Sequence, residues 1–318
     1  MNETISEICI TKKSADYELL DSGAGRKLER FGDFVLSRPD PQALWRKSLS
    51  ESEWLAADAT FEQTSGRGKW HNKKPFPESW QISLGGITFL LKPSVFKHIG
   101  VFPEQQGNWK WVAEKIGRPD ADVAGALSTT LAGSAPMGSS PFGSSVADIA
   151  VLNLFASTGG ATLAAALAGA SVCHVDSSQF AIDCAVANRD ASGLSETPIR
   201  FIVDDVKKFV EREIRRGQKY DIIILDPPVY GKGTKKEIWN LEDDLAPLLS
   251  QLPKLLSEKP LAVLLSGYAS GLSHITYAQV IADAVKNLNG KISSGELGIS
   301  QSDSDRILPA GIFARCEF

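Results

Sequence analysis

The feature that most constrains the fold is the regular alternation of short apolar runs and helix-patterned segments from Ala150 to the end of the chain. The runs Ile222–Leu225 and Leu261–Leu265 are continuously apolar, as expected for strands buried on both faces of a sheet. Strands that alternate with helices pair in parallel, because each helix crosses the sheet before the next strand begins. We therefore predict an α/β fold with a Rossmann-like, doubly wound sheet over residues 150–318.

The predicted elements follow this alternation. The strands are predicted at 150–155, 171–175, 199–203, 220–225, 261–265, 291–298 and 310–317. The helices are predicted at 161–168, 178–192, 206–216, 242–256 and 274–287.

Residues 1–110 are predicted to form a small β-rich N-terminal domain. Apolar runs at Phe34–Leu36, Trp80–Leu84 and Ile87–Leu91 are separated by turn-forming residues, and Gly85-Gly86 predicts a two-residue hairpin turn. Residues 111–149 are predicted to be a connecting helix and a low-complexity loop. Residues 119–147 contain mostly small side chains near their end and no Lys or Arg, so we expect a flexible linker there.

Composition excludes several classes of protein. The chain has 318 residues, a net charge of −4 and no apolar run longer than a strand, so we predict no membrane partner. The acidic first residues lack a signal-peptide pattern. The four cysteines are scattered without a CxxC pair, which predicts neither disulfides nor a metal site and favours the reducing cytoplasm.

One basic segment is ambiguous. It interleaves basic residues with aromatic ones, namely Arg67, Lys69, Trp70, His71, Lys73 and Lys74. Such a segment is typical of a nucleic-acid face, but a solvated loop explains it equally simply and is the favoured interpretation.

The turn after the first strand of the α/β region is a candidate ligand site. Gly159 and Gly160 allow a sharp reversal and a close approach of a ligand to the backbone, and Ser157 and Thr158 add hydroxyls. The spacing is not GxGxxG, so a dinucleotide loop is poorly supported. Taken alone, the pattern also fits an ordinary turn between a strand and a helix.

Acidic residues follow the next two predicted strands. Asp176 is placed where a carboxylate accepts hydrogen bonds from ribose hydroxyls, although it also fits a cap for the helix beginning near Ser178. Asp204 and Asp205 follow the third strand, where a carboxylate can accept the exocyclic amine of adenine. One of the two can instead cap the helix that begins at Val206.

The strand that ends at Leu225 is followed by Asp226-Pro227-Pro228, with Tyr230 close behind. The prolines lack N–H groups, so we expect their carbonyl oxygens to face the cleft, where they and Asp226 can hold an exocyclic amine. Tyr230 can stack on a planar ring. The alternative is that the motif only ends a strand. We predict Asp226, Pro227 and Tyr230 as catalytic residues.

Together these motifs resemble those of class I S-adenosylmethionine-dependent methyltransferases. The chain is most similar to the bacterial family related to the large-subunit rRNA cytosine-C5 methyltransferases. The resemblance rests on Leu152–Gly160, His174–Asp176, Asp204-Asp205, Ile223–Pro228 and the upstream segment Phe96–Gln106.

The resemblance implies S-adenosylmethionine as cofactor and an RNA base, by analogy an rRNA base, as acceptor. The implied cofactor-binding residues are Phe102, Gln105, Phe155, Ala156, Thr158, Gly159, Asp176, Ser177, Asp204, Asp205, Val206 and Asp226. Within this set, Phe155 to Gly159 would line the methionine end, Asp176 the ribose and Asp205 the adenine. Phe102 and Gln105 would close over the cofactor.

Two departures from the family pattern bear on the reaction. Ser157 stands where the family usually has an aromatic residue, and no cysteine lies in Leu264–Ser270, where the carbon methyltransferases carry their nucleophile. Transfer to a nitrogen is therefore favoured over transfer to carbon. A small-molecule or protein methyltransferase and a non-catalytic cofactor-binding module remain alternatives, and an NAD-dependent dehydrogenase is the least favoured.

Overall fold

The fold was obtained as a computed structural model, which describes residues 5–64, 67–73, 75, 77–95, 97–117, 149–233, 237–268 and 271–318. The described strands are β1 Ile5–Thr11, β2 Tyr17–Gly23, β3 Arg26–Phe31, β4 Phe34–Pro39, β5 Ala59–Thr64, β6 Arg67–Asn72, β7 Trp80–Leu84, β8 Ile87–Leu91, β9 Ala150–Leu154, β10 Ser171–Asp176, β11 Ile199–Val203, β12 Ile222–Leu225, β13 Tyr230–Lys232, β14 Ile238–Asn240, β15 Ala262–Gly267, β16 Lys291–Ser300 and β17 Ile307–Glu317. The described helices are α1 Glu51–Leu55, α2 Gln106–Lys115, α3 Gly160–Leu167, α4 Gln179–Ala191, α5 Val206–Arg215, α6 Leu241–Leu249 and α7 His274–Val285. Short 3-10 turns cover Pro103–Gln105 and Leu252–Lys254.

The centre of the molecule is an eight-stranded sheet with the order β1-β16-β17-β15-β12-β9-β10-β11. Strands β11, β10, β9, β12 and β15 pair in parallel with one another in this order, whereas β17 runs antiparallel to β15 and β16. Every residue of β12 and β15 is buried, as their continuous apolar character predicts. The chain moves outward from β9 to β11 and then returns to β12, so the strand order reverses between β9 and β12. Ligands of doubly wound sheets bind at this reversal.

The α/β prediction is confirmed, and most element bounds agree within two or three residues. The clearest difference concerns the helix predicted over 242–256. Helix α6 ends at Leu249 and is followed by the turn Leu252–Lys254. Pro253 explains the early end, because a proline cannot donate a helical hydrogen bond and restricts the residue before it.

The β-rich N-terminal region is also confirmed. Strands β2 to β6 form a five-stranded sheet, and β7 and β8 form a separate hairpin. Gly85 and Gly86 turn this hairpin with φ angles of 57° and 73°, which only glycine adopts without strain. The hairpin turn was predicted from the sequence.

One strand crosses the predicted domain boundary at residue 110. Strand β1 pairs in parallel with β16 and forms the edge of the large sheet. Its backbone lies against Gly295, where an added Cβ would overlap the carbonyl oxygen of Glu7. The segment 5–11 therefore belongs structurally to the α/β sheet, because its strand-to-strand hydrogen bonds are made there. The rest of the division stays a prediction.

The connection predicted over 111–149 is described only in part. Helix α2 begins at Gln106, earlier than predicted, and ends at Lys115. The predicted linker at 119–147 lies outside the described residues.

The basic segment near β6 packs as part of the N-terminal sheet. Trp70 packs edge-on against Phe61, with ring centroids 5.2 Å apart, and its indole N–H donates to the carbonyl of Ser94. His71 lies 3.3 Å from the Glu62 carboxylate. The favoured interpretation as a solvated loop is therefore wrong for residues 67–72, which form strand β6 paired with β5. Lys74 and the side chain of Arg67 lie outside the described part.

Helix α2 links the N-terminal hairpin to the large sheet. The Trp109 ring stacks on Phe89 with centroids 5.6 Å apart, and it also lies against the backbone of Gly160. A Cβ at Gly160 would overlap this ring, at 2.8 Å from Cε2. The absent side chain at Gly160 is therefore required for the two regions to meet. No described helix has the length and apolarity needed to cross a membrane.

Candidate active site

The turn after β9 reverses within five residues through left-handed backbone conformations. Phe155, Ser157 and Gly159 have φ angles of 55°, 49° and 91°. Left-handed geometry costs a non-glycine residue roughly 1–2 kcal/mol, so contacts must hold this turn. Among them, the Ser157 N–H donates to Asp176 Oδ2 at 2.9 Å, and the Thr158 hydroxyl donates to the Gly100 carbonyl at 2.8 Å.

Asp176 organises the turn from the end of β10. Its second oxygen, Oδ1, accepts the Ser178 N–H at 2.8 Å. The cap of α4 is Ser178 itself, whose hydroxyl accepts the Ala181 N–H, so Asp176 is not the helix cap. Burial raises the pKa of Asp176, while hydrogen bonds from Ser178 and Ser157 oppose this shift. The Asp176 carboxylate thus links the turn after β9 to the turn after β10.

The two acids after β11 have different partners. Asp205 caps α5, because its side chain accepts the Lys208 N–H at 3.0 Å, and the capping alternative is confirmed for this residue. Asp204 forms an ion pair with Arg212. Asp205 and Val206 line a small hollow of about 40 Å³ beside the main cavity, whereas Asp204 lines neither.

Asp226 lies at the end of β12, between two polar side chains. Gln105 Nε2 is 3.4 Å from Asp226 Oδ2 and 3.4 Å from the Ser266 hydroxyl at the end of β15. Asp226 is exposed to solvent at the cavity, although the surrounding protein desolvates its carboxyl group. Desolvation raises the pKa of Asp226 to about 6, and a hydrogen bond with Ser266 acts against this shift.

Gln105 is held in place by a chain of hydrogen bonds. Asn108 Nδ2 donates to Gln105 Oε1 at 2.8 Å, and Arg315 Nη2 donates to Asn108 Oδ1 at 2.8 Å. Because the Gln105 oxygen is engaged, its NH₂ group points to the acceptors Asp226 and Ser266. Sequence reasoning found Gln105 and Asp226 but missed Ser266, Asn108 and Arg315.

The carbonyls of the two prolines do not both face the cleft, which corrects a prediction. The Pro228 carbonyl accepts the indole N–H of Trp239 at 2.7 Å. The Trp239 ring in turn packs against Phe155 with centroids 4.7 Å apart. This aromatic contact turns the carbonyl away and ties the proline motif to the turn after β9.

These elements surround one cavity of about 490 Å³, which is in the size range of small-molecule sites. The side that we call the sheet-edge wall includes Phe155, Ala156, Ser157, Thr158, Gly159, Gly160, Asp176, Ser177, Asp226, Pro227, Pro228 and Ser266. Between this side and the opposite one lies Tyr268, whose ring centroid is 5.1 Å from the Lys97 ammonium. The facing side, which we call the N-terminal wall, consists of Lys27, Arg38, Lys97, His98, Phe102, Pro103, Glu104, Gln105, Asn108 and Trp109.

Most of the predicted site residues therefore meet in one place. The structure brings ten of them to the cavity, namely Phe102, Gln105, Phe155, Ala156, Thr158, Gly159, Asp176, Ser177, Asp226 and Pro227. Tyr230 lies outside the lining and is 56% exposed on β13. Asp204 is likewise outside.

The N-terminal wall carries charged groups that sequence reasoning missed. Lys27 Nζ lies 3.6 Å from Glu29 and 3.4 Å from Asp40, and Arg38 Nη2 lies 2.5 Å from Glu29. Nearby, burial raises the pKa of Glu104 to about 7. Lys27, Glu29, Arg38 and Asp40 are neighbours on or directly after the hairpin of β3 and β4, where Lys27 lies opposite Arg38. The fold then brings this hairpin, together with Glu104, to the cavity.

The cysteines are remote from this chemistry. All four are described and none lines the cavity. Burial raises the pKa of Cys173 to about 11, which leaves a protonated thiol at neutral pH. Within the described residues, no three His, Cys, Asp or Glu side chains are grouped as a metal site.

Comparisons with known proteins agree with this geometry. A family model described as S-adenosylmethionine-dependent methyltransferase matches residues 122–269. A crystal structure of a SAM-dependent methyltransferase from Agrobacterium tumefaciens is 36% identical, has a TM-score of 0.86 and covers 100% of this chain and 96% of its own.

Curated relatives match over shorter stretches. Ribosomal RNA large subunit methyltransferase I from Klebsiella pneumoniae is 41% identical over 86 residues, 27% of this chain and 22% of the relative. The Escherichia coli protein of the same name is 35% identical over 136 residues, 42% of this chain and 34% of the relative. The match thus spans at most about a third of these relatives. Full-length similarity to the Agrobacterium structure, together with the family model, shows that the chain belongs to the S-adenosylmethionine-dependent methyltransferases.

Proposed function

We propose that this chain transfers the methyl group of S-adenosylmethionine to a nitrogen of an RNA base. One observation carries the proposal: Asp226 lies where the sheet-edge wall meets an N-terminal wall that contains three cationic side chains. The first wall has the groups that the cofactor needs, and the second includes Lys97, a cation without an ion pair among the described residues, which suits a polyanion.

The residues of the sheet-edge wall fit the cofactor. The two N–H bonds to Asp176 leave carboxylate lone pairs for the ribose hydroxyls. Gly159 and Gly160 line the cavity at the start of α3, where the first amides of the helix are free to contact a polar ligand group. Phe102 and Phe155 would cover the cofactor, with Ser177 beside the ribose and Asp205 and Val206 beside the adenine. When bound, S-adenosylmethionine supplies an electrophilic methyl group.

Asp226 would orient the acceptor amine. Its pKa of about 6 leaves it mainly ionised at neutral pH, so it accepts a hydrogen bond from the amine and can take up a proton. The contact with Gln105 fixes the orientation of the Asp226 carboxylate. The restricted backbone of Pro227 fixes the position of Asp226 in the cleft. Alignment of the methyl donor with the acceptor atom is the main source of rate acceleration in such a transfer. Tyr230, exposed beside the cleft, would stack on the acceptor ring.

The choice of RNA rests on two supports. The curated relatives are named as ribosomal RNA methyltransferases, and cations line the acceptor side of the cavity. Because no cysteine lines the cavity, a thiolate adduct to a pyrimidine has no nucleophile there, which favours nitrogen over carbon. A cytoplasmic location accompanies this proposal.

The test is methyl transfer from tritiated S-adenosylmethionine to separate pools of deproteinised rRNA, tRNA, protein and small molecules. We expect label in the rRNA pool and its loss with Asp226→Ala. Label only in protein or small molecules would replace the RNA acceptor. Cofactor binding without label in any pool would instead support a non-catalytic binding module.

A further inference from the structure

Three cations line the N-terminal wall, but their environments differ. Lys27 and Arg38 are paired with the buried carboxylates of Glu29 and Asp40. The positive charge of these two residues is therefore largely balanced within the protein.

Lys97 is different. Among the described residues, no carboxylate lies within ion-pair distance of its ammonium group, although it lines the same cavity. Burial lowers the pKa of Lys97; the nearby charges of Lys27 and Arg38 add to this shift, whereas those of Asp40 and Glu29 oppose it. An anion in the cavity would supply the missing counter-charge.

The backbone of Lys97 is fixed although its charge is unpaired. Arg38 Nη1 donates to the Lys97 carbonyl at 3.1 Å. The Lys97 ammonium lies 5.1 Å from the centroid of the Tyr268 ring, a cation–π distance. A positioned cation next to an aromatic face is the combination that binds a nucleotide, since one group pairs with phosphate and the other stacks on a base.

Tyr268 connects this pair to the reaction centre. It directly follows β15, two residues after Ser266, whose hydroxyl contacts Gln105 beside Asp226. The ring is 43% exposed and faces the cavity, so it is accessible to a ligand. The distance along the chain from Asp226 is long, but the register of β12 and β15 places both strand ends together.

We propose that Lys97 and Tyr268 form the acceptor subsite, in which Lys97 binds a backbone phosphate of a single-stranded RNA segment and Tyr268 stacks on a base next to it. The inference rests on the proposed RNA methylation and names the residues that hold the acceptor. A protein acceptor would not need this pairing of cation and ring.

The test uses a fluorescein-labelled, mixed-sequence single-stranded RNA of about 12 nucleotides, long enough for one binding groove. Anisotropy titrations with the full chain, saturated with S-adenosylhomocysteine, are repeated from about 50 to about 200 mM salt. The variants are Lys97→Ala, Lys97→Arg, Tyr268→Ala and Tyr268→Phe. Lys92→Ala is the matched control, because Lys92 is exposed in the same segment but does not line the cavity.

In Lys97→Ala, loss of one phosphate contact should make the negative slope of log K against log salt concentration shallower by about 0.7. We expect about five- to tenfold weaker binding in Lys97→Ala and at least about fivefold in Tyr268→Ala, with most affinity retained in Lys97→Arg and Tyr268→Phe. Affinity for S-adenosylhomocysteine should stay unchanged, which separates the subsite from a folding defect.

The experiment distinguishes a failure of the proposed subsite from a failure of the proposed function. If the wild-type chain methylates RNA while Lys97→Ala and Tyr268→Ala bind it normally with an unchanged salt slope, the subsite is wrong and the function stands. If the wild-type chain binds cofactor but neither binds nor methylates RNA, both are wrong. Equal weakening by Lys92→Ala would also overturn the subsite.

Discussion

The two walls of the cavity are built by opposite means. The sheet-edge wall consists mainly of turns that follow strands, with Asp176 and Asp226 as its carboxylates. The N-terminal wall contains long charged side chains, two of which, Lys27 and Arg38, are held by ion pairs with Glu29, a carboxylate with no solvent exposure. The sheet edge is thus shaped by backbone and the facing wall by side-chain electrostatics. We infer that the first wall determines the chemistry and the second the choice of acceptor.

The largest effect should come from the carboxylate where the walls meet. Asp226→Asn keeps the size of the side chain but removes its negative charge. That charge orients the acceptor amine and accepts a hydrogen bond from it. We expect methyl transfer to fall by about 10²- to 10⁴-fold, while S-adenosylhomocysteine affinity changes little, measured by tritium transfer and calorimetry. The matched control is Asp283→Asn, an exposed carboxylate of α7. Loss of cofactor affinity equal to the loss of rate would show that Asp226 serves binding instead.

The N-terminal wall should respond through stability. Glu29 accepts hydrogen bonds from Arg38 and from the Tyr17 hydroxyl, at 3.0 Å for the latter. Glu29→Gln leaves the buried Arg38 without its counter-charge, so the free energy of unfolding should fall by about 3–5 kcal/mol. Denaturant titration measures this.

The control for that substitution is Glu51→Gln, which removes an exposed ion pair with Lys47. Its effect should be within about 1 kcal/mol. Equal effects of the two variants would contradict the view that the N-terminal wall is held by buried electrostatics.

The contact between the walls should have an intermediate effect. Gly160→Ala places a methyl group against the Trp109 ring, and we expect a loss of about 1–3 kcal/mol in unfolding free energy. Adding Trp109→Leu should recover part of this loss by making space. Gly231→Ala is the control, since its nearest neighbours lie at ordinary contact distances of 3.5 and 3.6 Å. A double variant no more stable than Gly160→Ala would refute the steric account.

The smallest effect concerns pH and Asp226. Its pKa of about 6 in the folded chain lies above the ordinary value of 3.8. Between these values the folded state holds more protons than the unfolded state, so stability falls as pH rises. Asp226→Asn lacks this titration.

The Tm of Asp226→Asn should therefore exceed that of the wild-type chain by its largest margin above about pH 6, and the margin should shrink toward about pH 4. Both proteins share every other titrating group, so the difference reports on Asp226. A margin independent of pH would contradict the raised pKa.

The same contrast explains what the sequence could predict. Each part of the sheet-edge wall is a short local segment. The strands, the glycine turn after β9 and the acids that follow the strands can therefore be recognised from the sequence. Tyr230 and Asp204 were included because they adjoin these motifs, but their side chains lie outside the cavity. The Pro228 carbonyl was misplaced because its partner, Trp239, comes from another strand.

The N-terminal wall has no comparable local signal. Lys27, Arg38 and Lys97 are scattered over three segments, and each has an ordinary sequence context. Tertiary packing, including that of Trp109 of α2 against Gly160, brings them to the same cavity as Asp226. Tertiary contacts of this kind determine both their positions and their charges.

The most direct test of the account is a crystal structure of the chain with S-adenosylhomocysteine. We predict the ligand in the cavity, with its ribose at Asp176, its sulfur toward Asp226, and Lys97 and Tyr268 uncovered. Isothermal titration with Asp176→Ala should show weaker binding of the same ligand. A ligand lying against Lys97 and Tyr268, or bound away from the ends of β9, β10 and β12, would contradict the division of the cavity into a cofactor wall and an acceptor wall.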